Sequence, residues 1–349
     1  MVYSRMKTKA AVLYETKKPL HIEDLTIPEL AQGQVLVKVV YSGICHSQLN
    51  EILGLKGEDK FLPHTLGHEG SGIVEQTGPG VTKVRPGDHV VLTWIKGKGL
   101  DVPFTTYLSS SGARVNSGAI STLMNRAVIS ENRLVKISKD MSLSEAALLG
   151  CAVPTGVGVI RNTLRVKPKD TIVILGIGGI GMSAILGAKL VGCKNIIAVD
   201  VVDWKLDIAK KLQATCVLNT KKQDIQEAVK QKYNGRGVDF VVEAAGAQET
   251  MDIGLKLIHN KGTVAIAGNL APGKRISIDP FDLIKGKKII GTWGGETRPD
   301  IDIPFYVKKC ISGKLKLKKL ISHKFKLEDV NQAFDMLRKG NVLRALIKL

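Results

Sequence analysis

Residues 171–181 read TIVILGIGGIG, a short apolar run followed directly by a glycine-rich turn. The run is typical of a buried parallel strand, and the small and apolar residues at 182–191 then predict a helix. A G-x-G-x-x-G string is informative only when a strand precedes it and a helix follows it. The stretch therefore predicts the first part of a doubly wound parallel sheet that binds a dinucleotide.

The glycines of this turn have separate physical roles. Gly176 would let the chain turn tightly, Gly178 would let the backbone approach a pyrophosphate, and Gly181 would let helix and strand pack closely. Gly179 lies in the same loop, next to the predicted helix N-terminus, where free N–H groups and the helix dipole favour an anion. We expect all four glycines to contribute to the cofactor site.

The next apolar run, residues 196–199, ends in Asp200. A carboxylate there can accept hydrogen bonds from both ribose hydroxyls and would repel a 2′-phosphate, so the pattern favours NAD over NADP. The alternative role for a single Asp at this place is an acidic helix cap.

Two cysteines and one histidine form a candidate metal-ligand set. Cys45 lies in GICHS, His68 in GHEGSG and Cys151 in GCAVPTG. Two thiolates and one imidazole leave a fourth tetrahedral position on zinc open, whereas structural zinc sites tend to use C-x-x-C pairs, which this sequence lacks. Each residue alone could be an ordinary buried cysteine or core histidine. Together with the glycine loop, they predict a catalytic zinc site.

With GPGV at 78–81 and RPGDHV at 85–90, these motifs resemble the zinc-dependent medium-chain dehydrogenase/reductase family. The resemblance is close to the alcohol dehydrogenases, whose catalytic zinc is known to have two cysteines and one histidine as ligands. It implies an α/β protein with a GroES-like, mainly β catalytic domain (1–152 and 292–349). It also implies a Rossmann NAD-binding domain (153–291). Strands and helices are predicted to alternate in that second domain, at 205–212, 224–232, 240–243 and 263–267.

The resemblance implies hydride transfer between an alcohol and NAD, with zinc polarising the substrate oxygen. Ser47 is expected to pass the alcohol proton on, and His46 either to contact the cofactor pyrophosphate or to be an ordinary half-exposed histidine. Glu69 is similar to a carboxylate that approaches the metal during ligand exchange. Four further residues match positions for nicotinamide, ribose, pyrophosphate and substrate, respectively: Thr155, Lys205, Arg344 and Trp94.

Three departures from the family pattern affect the predicted chemistry. Gln48 stands where an Asp usually supports the zinc-bound histidine, which removes one negative charge near the metal. Asn50 stands where many members end the proton relay in a histidine, and an amide cannot act as a base. No cysteine occurs between Trp94 and Arg133, where a structural zinc would be bound. We therefore expect one catalytic zinc per chain and no structural zinc.

Charge and composition restrict the partners. The formal net charge is +19, and residues 307–326 contain many lysines but no acidic residue. Because no aromatic interleaving or nucleic-acid module accompanies them, a solvated face or attraction of an anionic substrate is the favoured interpretation.

The apolar runs are too short to span a bilayer, the first residues lack a signal-peptide pattern, and the cysteines lack disulfide spacing. These features predict a cytoplasmic enzyme, and we expect a homodimer or homotetramer.

The sequence leaves the substrate open. Simple alcohols, polyols, sugar phosphates and nucleotide-activated sugars are all compatible with it, and Trp94 could narrow the pocket or stack against a sugar. Two other classes of protein are the alternatives. A zinc-free enone or quinone reductase would lack Cys45, His68 and Cys151, and a non-catalytic nucleic-acid-binding protein would need neither zinc nor Asp200.

Overall fold

The computed structural model describes residues 6–349, which form two compact units. Residues 6–151 and Arg298–Leu349 form the first unit, and Ala152–Thr297 form the second. The domain boundaries inferred from the sequence, at 152/153 and 291/292, stay predictions.

The part of the first unit that precedes residue 152 is mainly β. Its strands are β1 (Lys7–Leu13), β2 (His21–Thr26), β3 (Gln34–Gly43), β4 (His64–Thr65), β5 (Glu69–Thr77), β6 (His89–Thr93), β7 (Phe104–Leu108), β8 (Arg114–Gly118), β9 (Arg126–Ser130) and β10 (Leu134–Ile137). Its helices are α1 (His46–Ile52) and α2 (Leu143–Ala146). Strands β1, β2, β7, β8 and β4 close into a small barrel, and Tyr107 on β7 is fully buried in the core.

The second unit alternates strands and helices. Its strands are β11 (Thr171–Leu175), β12 (Asn195–Asp200), β13 (Cys216–Asn219), β14 (Val238–Glu243), β15 (Ile258–Ile266) and β16 (Lys288–Gly291). Its helices are α3 (Ala152–Gly158), α4 (Gly179–Leu190), α5 (Asp203–Lys211), α6 (Ile225–Lys232), α7 (Gln248–Leu257) and α8 (Pro280–Ile284). The strands pair in parallel in the order β13-β12-β11-β14-β15-β16.

This strand order confirms the doubly wound α/β sheet predicted from the glycine loop. From β11 the chain adds β12 and β13 on one side of the sheet, and from β14 it adds β15 and β16 on the other side. Open α/β sheets bind ligands in the crevice at such a switch point. The sequence predicted a helix at 182–191, whereas α4 begins earlier, at Gly179, and so includes the last glycines of the loop.

The last part of the chain returns to the first unit. It contains α9 (Pro299–Ile311), β17 (Ile321–Lys326), α10 (Val330–Arg338) and β18 (Arg344–Lys348). These strands extend a second sheet in the order β10-β6-β5-β3-β18-β17, with β9 also paired to β3. Leu346 of β18 lies opposite Gly43 of β3, so β18 runs beside the segment that leads into Cys45.

No single helix in the described part of the chain has both the length and the apolar composition to cross a membrane. A bent pair, Leu143–Gly150 with Ala152–Thr163, meets that test only when the two helices are taken together.

Candidate active site

The three predicted metal ligands come together in the first unit. Cys45 directly precedes α1, His68 directly precedes β5, and Cys151 follows a short helical turn, yet their ligand atoms all lie within 4.8 Å of one another. Gly67 makes the approach to His68 feasible, because its φ is +108° and an added Cβ would lie 2.6 Å from the Thr122 nitrogen. Two soft sulfur donors and an imidazole at this separation fit a zinc ion.

The electrostatics of the two cysteines also fit a metal site. A hydrogen bond from the Cys151 thiol holds the pKa of Cys45 well below its usual value, and His68 and Arg344 lower it further against the opposing effect of burial. The same hydrogen bond, together with burial, raises the pKa of Cys151. The protein itself thus favours the thiolate form of Cys45, and a bound dication would favour the thiolate form of Cys151 as well.

Arg344 reaches this centre from β18. It is 6% exposed, its guanidinium pairs with the fully buried Glu69, and it also interacts with Cys45. Burial lowers the pKa of Arg344, and the charge of Cys45 opposes that effect. The attraction between the two buried charges offsets part of the cost of removing them from water. Glu69 is therefore held by an arginine next to the ligand set, and the pyrophosphate contact expected of Arg344 stays a prediction.

The first turn of α1 lies next to the candidate ligands. His46 is exposed at its first position, and Ser47 is half-buried beside it. The Cys45 N–H donates to Gln48 Oε1 at 2.7 Å, and because an N–H can only donate, this contact identifies the amide oxygen. Gln48 Nε2 is buried and has no hydrogen-bond partner. The substitution of Gln for the usual Asp therefore leaves an unused donor near the metal site.

A cavity of about 640 Å³ borders the candidate zinc site. His68 and Gln48 line it, together with Glu51 and His64. Its volume is within the range of small-molecule binding sites. Trp94, which was expected to line a substrate slot, contacts Cys151, where its side chain lowers the thiol pKa. Phe61 and Phe104 also line this cavity, and Trp94 is not among the described residues of its lining.

In the second unit, three glycines of the predicted dinucleotide loop have different surroundings. Gly176 has a φ of +88°, and an added Cβ would lie 2.6 Å from the Ala245 nitrogen. A Cβ on Gly181 would overlap the Gly176 carbonyl oxygen. A Cβ on Gly178 would have no atom within 4 Å. The fold thus accounts for Gly176 and Gly181, whereas the open space at Gly178 fits a bound phosphate at the N-terminus of α4.

Asp200 supports the same loop from the end of β12. Its Oδ2 accepts the Ile177 N–H at 2.7 Å, and its Oδ1 accepts the N–H groups of Val201 and Val202. Since the N-cap residue of α5 is Val202, Asp200 does not cap that helix. Of the other predicted cofactor residues, Thr155 is buried in α3 and Lys205 lies in α5, with its Nζ 5.8 Å from the Trp204 ring centroid.

The sequence did not predict a second polar cluster at the cavity, formed by Glu51, Asp59 and His64. His64 lies in the short strand β4, and Asp59 lies in the loop before it. No spacing motif marks them, because α1 and β4 are brought together only by the tertiary fold. Among the described residues, this cluster and the Cys45 site are the groups whose ligand atoms converge enough to hold a metal.

Comparison with known proteins agrees with this geometry. Residues 31–139 match the model of the alcohol dehydrogenase GroES-like domain, and residues 179–306 match that of the zinc-binding dehydrogenase domain. An S-(hydroxymethyl)glutathione dehydrogenase from Synechocystis sp. is 34% identical across 98% of this chain and 100% of its own length.

Two solved structures resemble the chain over almost its whole length. Benzyl alcohol dehydrogenase from Acinetobacter calcoaceticus is 33% identical with a TM-score of 0.89, and the match covers 99% of both chains. An alcohol dehydrogenase zinc-binding domain protein from Burkholderia ambifaria is 30% identical with a TM-score of 0.93, again over 99% of both chains. The chain therefore belongs to the zinc-binding alcohol dehydrogenase family, with a GroES-like β unit and a Rossmann-type parallel sheet.

Proposed function

We propose that this protein is a zinc-dependent dehydrogenase that transfers hydride between NAD and an alcohol, polyol or sugar-type hydroxyl. The observation that carries the proposal is the convergence of Cys45, His68 and Cys151 within 4.8 Å of one another, with His68 in the wall of a cavity of about 640 Å³. A three-ligand zinc site that borders a small-molecule cavity is suited to catalysis.

Cys45, His68 and Cys151 would hold the zinc, which when bound polarises an alcohol oxygen and stabilises negative charge on it. The Arg344 guanidinium interacts with both Glu69 and Cys45, so it places a positive charge beside the Cys45 sulfur. Ser47, half-buried at the start of α1, is the proposed first acceptor of the substrate proton. Asn50 cannot take the proton further as a base, so His46 or solvent would complete its transfer.

We propose NAD as the preferred cofactor because Asp200 places a carboxylate at the end of β12, where it would meet the adenosine ribose. The open space at Gly178 and the free N-terminus of α4 support pyrophosphate binding at the loop. When bound, NAD supplies the hydride acceptor. We also propose one zinc per chain, since the five cysteines include no four-cysteine set.

A substrate screen on purified, zinc-replete protein tests this function. NADH absorbance would be followed with primary alcohols, diols, polyols and sugars, and again with NADP in place of NAD. Zinc-dependent NADH formation with at least one hydroxyl compound is the expected result. Turnover of an enone or quinone by metal-free protein would instead identify a zinc-free reductase, and salt-dependent nucleic-acid binding without any turnover would identify a binding protein.

A further inference from the structure

One wall of the cavity beside the candidate zinc site carries charged groups to which the proposed reaction assigns no role. Glu51 and His64 line this wall, and Asp59 lies directly behind them. Their ligand atoms lie within 4.8 Å of one another. Charged groups in a small-molecule cavity restrict which ligands bind, because each leaves an unmet charge or hydrogen bond when the ligand is wrong.

The hydrogen bonds of His64 fix the orientation of its ring in this cluster. Its Nδ1 lies 3.0 Å from the Thr65 carbonyl oxygen, which can only accept, so Nδ1 carries a proton. Its Nε2 lies 2.8 Å from Asp59 Oδ2. Although burial raises the pKa of Asp59, hydrogen bonds from His64 and the Phe61 N–H lower it more, so this carboxylate also accepts. The ring is therefore held in one orientation between the Thr65 carbonyl and the Asp59 carboxylate.

Glu51 lies between Lys56 and His64 but keeps one oxygen available. Its Oε2 pairs with Lys56 Nζ at 2.8 Å. Its Oε1 lies 3.7 Å from His64 Nε2, which is attractive but too long for a hydrogen bond. The side chain is 29% exposed. The carboxylate is thus oriented by its neighbours and able to accept a hydrogen bond from a ligand in the cavity.

Two other features of the wall complement this acceptor. Gln48 lies one helical turn before Glu51 on the same face of α1, and its Nε2 is an unused donor. Phe61 and Phe104 line the cavity while 71% and 69% exposed, and aromatic faces pack against the C–H groups of sugars. A simple alcohol has one hydroxyl, which the reaction itself uses. A polyol or sugar has further hydroxyls, each both a donor and an acceptor.

We propose that Glu51, oriented by Lys56 and His64, binds a second hydroxyl group of the substrate and so selects polyols or sugars over simple alcohols. This inference rests on the proposed dehydrogenase function and specifies its substrate class. Glu51 is a specificity-determining residue in this scheme, and His64 and Lys56 are positioning residues.

The test compares two substrates that differ in one hydroxyl, butane-2,3-diol and butan-2-ol, on the zinc-loaded enzyme. Glu51→Ala should lower kcat/KM for the diol about tenfold or more, as expected for loss of a hydrogen bond to a charged group, and leave butan-2-ol within about twofold. Glu51→Gln should recover part of the loss, because the amide oxygen still accepts. Glu58→Ala, a change of an exposed carboxylate in the loop that follows α1, is the matched control and should leave both substrates unaffected.

Direct binding separates this inference from the proposed function. Saturation-transfer NMR of the diol with wild-type protein and Glu51→Ala reports the subsite even if neither substrate is oxidised. Loss of the diol signal in Glu51→Ala supports the subsite, whether or not turnover occurs. Equal losses for both substrates would show a purely structural role for Glu51, and unchanged diol binding in Glu51→Ala would also overturn the inference.

Discussion

Replacement of Gly178 by Ala should damage cofactor binding while leaving the fold intact. The backbone at Gly178 has φ −90° and ψ −159°, which any residue can adopt, and an added Cβ would meet no atom within 4 Å. Ala should add about 0.4–1 kcal/mol of stability by restricting the unfolded chain. Because Gly178 is also the N-cap of α4, where Ala is a poor residue, the cap loses a similar amount. The net change in the free energy of unfolding should be within about 0.5 kcal/mol.

Affinity for NADH should respond very differently. A methyl group at Gly178 would occupy the space through which the backbone approaches the pyrophosphate, and we expect at least a tenfold rise in Kd, about 1.4 kcal/mol. Gly181→Ala is the contrasting variant, since its Cβ would overlap the Gly176 carbonyl oxygen and should destabilise the fold by about 1–3 kcal/mol. Urea unfolding and NADH fluorescence titration measure both quantities. Wild-type NADH affinity in folded Gly178→Ala would refute the assignment of this loop to the pyrophosphate.

Three further changes test other parts of the structure. Asp200→Ala should raise the Kd for NAD and lower that for NADP in fluorescence titrations, because it removes a hydroxyl acceptor and a repulsive charge; parallel losses for both cofactors would indicate a role in loop structure alone. Tyr107→Phe should cost about 1–3 kcal/mol in urea unfolding, because the buried Val128 N–H loses its acceptor, and an unchanged midpoint would contradict this. Asp88 is buried, and although burial raises its pKa, hydrogen bonding from Lys136 and from a backbone N–H lowers it more. Its stabilising effect is therefore present above the unfolded-state pKa and is lost as pH falls through the lower folded-state pKa. Asp88→Asn should destabilise the protein at pH 7 and progressively less in acid, and a pH-independent loss would exclude the Lys136 contact as its cause.

Local patterns account for what could be predicted from the sequence. The strand that begins at Thr171 has the predicted bounds because four apolar residues follow Thr171 and end at Gly176, whose φ of +88° belongs to a turn. The sheet class followed from the alternation of elements, since parallel strands need helical crossovers. Cys45, His68 and Cys151 could be grouped because each lies in a short motif with a recognisable chemistry, and the structure brings their ligand atoms together.

The remaining features depend on long-range contacts that no local pattern records. Arg344 is beside Glu69 because β18 pairs with β3, a register that hydrophobic alternation alone does not specify. The cluster of Glu51 with His64 joins side chains from α1 and β4, which the sequence separates by a loop. The contact of Trp94 with Cys151 is likewise a long-range one, and the expected role of Trp94 in the substrate slot stays a prediction.

Zinc titration of metal-free protein tests the central claim most directly. Metal would be removed by a chelator, zinc would be added back in known equivalents, and NADH formation would be followed with the best substrate from the screen. Activity should be absent without metal, rise in proportion to added zinc and level off near one equivalent per chain, while Cys45→Ala gains none and still binds NADH. Full activity in the metal-free protein, or a requirement for two equivalents, would contradict a single catalytic zinc at Cys45, His68 and Cys151.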